Sequence, residues 1–330
     1  MTAISTQKLS ISPPEAISKP PSTFDMAVDW ATRIAAWVFG AGTVILLAYI
    51  IWEIGLAAIP ALRSGGLGVI TGTTYDPNRD VYGLLYPILG TIYSSVLALT
   101  AATIFGVAIA VFLSQKFLPR RLEIVFKNIV ELLAAIPSVV YGLWGIFVVI
   151  PVLRPPANAL GQMVGGWFPL LKGHLSGLGM LPAALVLAIM VLPTISAISY
   201  DALLAVNPRL KEAAMGLGAT RWEAILRVIL PTASTGIVGA VILGFGRALG
   251  ETMALAMLLG NVNGFSISLL EPGNTLAALI ANHFQEAFGG PEMSVLLLAG
   301  MVLLAITLVV NIIGALVIQI ANRNIMGGRQ

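Results

Sequence analysis

The stretch GFGRALGETMALAM, residues 244–257, sets Arg247 four positions before Glu251 in a run that is otherwise almost wholly apolar or glycine. A charge near the centre of a membrane span costs roughly 2.5–3.5 kcal/mol on insertion scales, so such a residue turns toward protein or a polar path rather than hydrocarbon. Spaced i,i+4 on one helix the two side chains can pair, although Arg before Glu is the less favourable order for the helix dipole. Two chemistries are open. Either the pair neutralises itself and locks two helices together, or the guanidinium, always ionised and carrying five donors, meets an oxyanion in transit while Glu251 orients it and limits its pull. Gly244, Gly246 and Gly250 leave that face uncrowded.

Little else in the chain offers chemistry. Cysteine is absent, which excludes thiolate ligands and disulfides. His174 and His283 have no third evident ligand, so no metal site is expected and both read as ordinary loop residues. In the apolar runs no serine stands near a histidine, and neither a His-Glu-His arrangement nor paired aspartates occur, so the chain is not expected to be an enzyme. A Gly-x-x-x-x-Gly-Lys-Ser/Thr phosphate loop is also absent, so any ATP hydrolysis, with its Mg, belongs to partner subunits.

The elements that must position Arg247 follow from composition. Of 330 residues 58% are hydrophobic and 10% charged, against about one-quarter charged in soluble domains. Together with a mean hydropathy of +0.93 this implies an all-α integral membrane protein. Residues 1–25, rich in Ser, Pro and Thr, read as a disordered tail, and 26–330 as the membrane domain. Apolar runs place six transmembrane helices at about 34–59, 84–113, 124–150, 180–204, 232–259 and 293–320. Six spans put both termini on one side. That side then carries 13 Lys and Arg and the opposite side 4, with Arg247 in the membrane, so the positive-inside rule makes the termini cytoplasmic. Pro137, Pro182 and Pro193 lie in or at the ends of spans as bends, and Gly142, Gly145 and the Ala/Ser run at 94–102 suit close helix contact. Tyr82, Tyr141, Trp144 and Trp167 fit an aromatic belt.

One cytoplasmic segment is patterned rather than loop-like: AVNPRLKEAAMGLGATRWEAILRVILP, residues 205–231. Asn207 before Pro208 fits an N-cap with proline in the first turn, and Thr220 with Glu223 has the form of a capping box opening a second short helix that ends before Pro231. Gly216 and Gly218 divide the two. The segment is a plain linker, a docking surface on which Ala213, Ala214 and the glycines let another body approach the backbone, or, least favoured, a DNA-binding hairpin. Tethered at both ends to the membrane and with four basic residues, it offers little to nucleic acid, and no nucleic-acid partner is expected.

EAAMGLGATRWEAILRVILP, residues 212–231, resembles the EAA loop of binding-protein-dependent ABC importer permeases, with Glu212, Ala213, Ala214, Gly218 and Pro231 on the pattern's positions. The resemblance implies a type I importer permease fold and a coupling helix seated in a groove of a cytoplasmic ATP-binding subunit. The blocks at 131–151, 187–203 and 244–254, with NTLAALIANHFQEA at 274–287, are similar to the phosphate-specific permeases of that family. That likeness implies a heterodimer with a PstA-like second permease subunit, two copies of the ATP-binding subunit, an extracytoplasmic phosphate-binding protein and a location in the inner membrane. It also implies that Arg247 and Glu251 take part in moving phosphate. Sulfate or molybdate import, and a passive anion channel, remain as alternatives.

Overall fold

A computed structural model describes residues 22–115, 117–287 and 290–327. The tail read at 1–25 lies, up to residue 21, outside the described residues. The chain divides into residues 1–53 and 54–330. In the first part the described residues from Thr23 onward are the beginning of helix α1, Thr23–Gly65, whose side chains there are exposed.

Among the described residues the second part holds the remaining helices longer than four residues: α2 (Leu85–Ser114), α3 (Arg120–Ala135), α4 (Ser138–Val164), α5 (Met180–Leu204), α6 (Pro208–Gly216), α7 (Arg221–Leu249), α8 (Met253–Leu258), α9 (Leu276–His283) and α10 (Pro291–Gly327). Among the described residues six helices, namely α1, α2, α4, α5, α7 and α10, are long and apolar enough to cross a membrane.

α5 is the centre of the packing, and the sequence shows why. On α2 a small residue recurs at every fourth position, Gly90, Ser94, Ala98, Ala102, Gly106 and Ala110, and all six are buried. α7 repeats the device with Gly236, Ala240, Gly244 and Ala248. Small-xxx-small stripes let membrane helices approach closely, so packing replaces the hydrophobic drive that lipid cannot supply. The larger side chains of α5 fill the space: a Cβ on Gly106 would stand 3.1 Å from Ile195, and one on Gly244 2.8 Å from the same residue. Outward faces keep their large apolar side chains exposed, as lipid contact allows.

Two spans differ from the sequence expectation. The third is Ser138–Val164 rather than 124–150. Ile136 precedes Pro137 and takes an extended conformation (φ −69°, ψ 128°), because a proline's Cδ crowds the α conformation of the residue before it. What lies upstream is α3, a separate amphipathic helix. Its polar edge meets α5, where the Tyr200 hydroxyl donates to Glu123 at 3.2 Å and Lys127 lies 5.1 Å from the Tyr200 ring centre, while Leu122, Val125, Phe126, Ile129 and Leu132 are exposed. The fifth span is Arg221–Leu249 rather than 232–259. Pro231 does not end a short helix as expected but sits inside one long helix. Directly before it Ile225–Ile229 forms a π-helical turn, and Gly145–Val149 does the same before Pro151. A π turn makes room for a ring that clashes with the preceding turn and lacks an N–H. The matching sequence signs are VVIP at 148–151 and VILP at 228–231.

The segments at the opposite end of the helices from the capped hairpin are tied down by polar contacts, buried in part. Leu276 N–H donates to the Thr91 hydroxyl at 2.9 Å, and Gly90 lies so close to Asn274 that a Cβ would be 1.9 Å from its carbonyl oxygen. Tyr75, buried, donates to Glu292 at 3.0 Å, and His283 Nδ1 lies 3.3 Å from the same carboxylate oxygen. Burial, with the Glu292 hydrogen bond adding to it, pushes the Tyr75 phenol pKa up, so this hydroxyl stays a donor. Asn158 clamps the Leu175 peptide through both its amide atoms and approaches His174 Nε2 at 3.3 Å. Tyr141 is buried, donating to the Leu133 carbonyl at 2.8 Å, and so is not part of an aromatic belt. Trp167 is exposed.

Candidate functional site

Arg247 stands in the last turn of α7, two residues before the helix ends at Leu249. Gly250 closes it with its N–H on the Gly246 and Ala248 carbonyls, and after Thr252 the chain restarts as α8. Glu251 therefore lies in the gap, not one turn further along the same face, and the i,i+4 pair that the spacing allows is not formed. Among the described residues the ion pairs are Asp76–Arg79, Lys127–Glu131 and His283–Glu292.

The physical reason is in the helix ends. The carbonyls left open at the C-terminus of α7 favour a cation, and the N–H groups open at the start of α8 favour an anion. Arg247 takes the first position; Glu251 takes the second, accepting the Ala254 N–H at 3.4 Å. Each residue thus stands at a helix end of opposite sign. Arg247 is instead held across to α5, where Nη1 donates to the Thr194 hydroxyl at 3.0 Å. Its side chain is otherwise exposed within a membrane-length helix. α8 is itself fixed against α4, since a Cβ on Gly142 would meet Met257 at 2.6 Å and one on Gly145 would meet Leu258 at 2.7 Å.

Residues 205–231 form much as their sequence implies. The Asn207 side chain caps α6 by accepting the Arg209 N–H at 3.0 Å, with Pro208 in the first turn. Thr220 and Glu223 make the capping box, with Thr220 N–H donating to Glu223 Oε2 at 2.9 Å. Gly218 between them has φ +90°, the left-handed region that favours glycine. Glu212, Ala213 and Gly218 are exposed, Ala214 is half-buried, and Leu217 at the tip is 91% exposed.

What holds this hairpin under the membrane domain was not legible beforehand. Lys211 Nζ donates to Gln115 Oε1 at 2.8 Å and Arg221 donates to the Gln115 carbonyl. The Arg221 guanidinium lies 4.1 Å from the centre of the Phe117 ring, which stacks on Trp222 at 5.2 Å. An open cavity of about 370 Å³ lies beside these contacts, lined by Ser114, Gln115, Leu203, Asn207, Lys211 and Glu212. Gln115 and Thr194 are the residues the sequence reading passed over. Each is an isolated polar residue at the edge of, or within, an apolar run, and only tertiary packing shows what it meets. Among the described residues no three His, Asp or Glu side chains gather to hold a metal ion.

Six helices of membrane length among the described residues, with a capped hairpin and a charged break at Gly250 in the second part, are the arrangement of a multi-pass membrane protein. Residues 102–324 match the model of a known family, and the chain belongs to it: the binding-protein-dependent transport system inner membrane components. It is 38% identical over 288 residues to the phosphate transport system permease protein PstC of Mesorhizobium japonicum, covering 86% of this chain and 87% of the relative. It is 42% identical over 262 residues to the protein of the same name from Xylella fastidiosa, covering 78% and 80%. The fold matches a chain of a bacterial ABC transporter involved in the import of the acidic polysaccharide alginate, with a TM-score of 0.55 at 18% identity, over 88% of this chain and 98% of that one. The chain is thus an all-α, multi-pass inner-membrane permease of the ABC importer type and not a catalytic subunit.

Proposed function

We propose that this chain is one of two membrane subunits of an ATP-driven importer of inorganic phosphate. An extracytoplasmic phosphate-binding protein delivers the anion, a PstA-like second permease completes the path, and two copies of an ATP-binding subunit supply the energy, one of them engaging residues 205–231 of this chain. The observation that carries the reading is the similarity, over most of both chains, to proteins named as phosphate transport permeases. The exposure of Arg247 supports a path role, because a guanidinium on a membrane helix needs a polar or protein neighbour in place of lipid. The test is uptake of labelled phosphate into vesicles holding the assembled complex, with ATP inside and loaded binding protein outside. Competition by phosphate but not by sulfate is expected; equal competition by sulfate would overturn the substrate assignment.

Gly218→Trp and Glu212→Arg are expected to weaken capture of the ATP-binding subunit at least tenfold, the order of effect of a clash or a reversed charge at an interface. Gly218→Ala separates two causes. A Cβ at Gly218 meets nothing within 4 Å in this chain, so alanine adds only the strain of a positive φ. Co-purification of the ATP-binding subunit reads the outcome: undiminished yield with the tryptophan variant argues against close approach, and equal loss with alanine assigns the glycine to backbone shape alone.

A further inference from the structure

We infer that Thr194 is the positioning residue for Arg247, fixing the plane in which the guanidinium meets the anion; this rests on the reading that Arg247 lies on the phosphate path. An arginine side chain is long and rotatable, and its use in recognising an oxyanion depends on presenting two parallel donors in a set orientation. A hydrogen bond at its tip restricts that orientation, and the bond present is Nη1 to Thr194 Oγ1 at 3.0 Å. It leaves four of the five guanidinium donors for other partners, on a side chain that is otherwise exposed.

The holder is a neutral hydroxyl, and this matters to the chemistry. A carboxylate in the same place would orient the guanidinium but would also cancel its attraction for an anion. Glu251, the nearest carboxylate in sequence, is engaged instead at the start of α8. Arg247 therefore keeps its full charge while its direction is set. The backbone makes the contact dependable: α5 and α7 approach closely at Gly244, where a Cβ would stand 2.8 Å from Ile195, the residue after Thr194. The small residue at 244 thus sets the distance across which Arg247, three positions on, reaches Thr194.

The experiment uses the assembled transporter in vesicles and compares wild type, Thr194→Val, Thr194→Ala, Thr194→Ser and Arg247→Gln. Two quantities are read: phosphate moved and ATP hydrolysed in response to loaded binding protein. The valine and alanine variants are expected to lose about tenfold in phosphate moved per ATP hydrolysed, the order of one hydrogen bond to a charged group, while the stimulated ATPase rate and the assembled yield stay within twofold. Thr194→Ser keeps the hydroxyl and is expected to stay within twofold of wild type. Alanine is carried beside valine so that a folding failure in one leaves the other to decide. Wild-type coupling in either folded variant, or an equal loss in serine, overturns the inference. Loss in Arg247→Gln with wild-type coupling in valine and alanine overturns the positioning role alone, whereas wild-type uptake in Arg247→Gln overturns the path reading on which it rests.

Discussion

Arg247→Gln is expected to reduce phosphate uptake by about a hundredfold or more, the scale of removing one partner from a desolvated charge contact, with assembly of the complex unchanged. Glutamine keeps donors but loses the fixed charge, and a step that needs compensation of an anion then has nothing to supply it. Because Arg247 bonds to Thr194 and not to Glu251, adding Glu251→Gln is not expected to restore transport. Reconstituted vesicles holding matched amounts of complex compare the wild type, both single variants and the double variant. Near wild-type uptake in the double variant would reduce the two charges to a neutralising pair and remove Arg247 from the path.

Gly90→Ala is expected to destabilise the folded protein by about 3 kcal/mol, at the upper end for overpacking, since the atom in the way is backbone and cannot rotate aside. The added methyl would stand 1.9 Å from the Asn274 carbonyl oxygen, so the segment leading into α9 would have to move and the Thr91 bond to Leu276 N–H would be stretched. Gly40→Ala is the control, with nothing within 4 Å of the added atom, and is expected to hold or slightly raise stability through helix propensity. Thermal unfolding in detergent, followed by tryptophan fluorescence, compares the two; equal midpoints would dismiss the close approach at Gly90.

How much of this could be read in advance differs by feature. Caps are local, and Asn207, Thr220 and Glu223 do what their types and spacing imply. The stripe of small residues on α2 was visible in part, as the Ala/Ser run at 94–102, and the structure extends it from Gly90 to Ala110 with α5 as its partner. Boundaries next to proline were misplaced in both directions. Pro137 separates two helices that hydropathy alone runs together, and Pro231 is carried inside a helix because a π turn makes room for it. The same uncertainty governed the charges: the i,i+4 spacing of Arg247 and Glu251 means a shared face only if the helix continues, and the break at Gly250 separates them. Thr194 was silent, since nothing local to α5 tells which helix will lie across from it.

α7 carries the capped hairpin's last residues at one end and Arg247 near the other, continuous from Arg221 to Leu249 through the π turn at Ile225–Ile229. At about 1.5 Å per residue the two are roughly 39 Å apart on one rod, so a tilt of one degree at the cytoplasmic end displaces the guanidinium by about 0.7 Å. On the proposed coupling, motion imposed on the hairpin would reach Arg247 as a lever's swing rather than through a relay of side chains, and a rotation of the hairpin about the helix axis would be carried along the same rod. Thr194 stands on a different rod. A stroke that swings α7 against α5 would lengthen or break the bond from Arg247 to Thr194, so on the proposed path the grip on an anion would be timed by the same movement that opens its way.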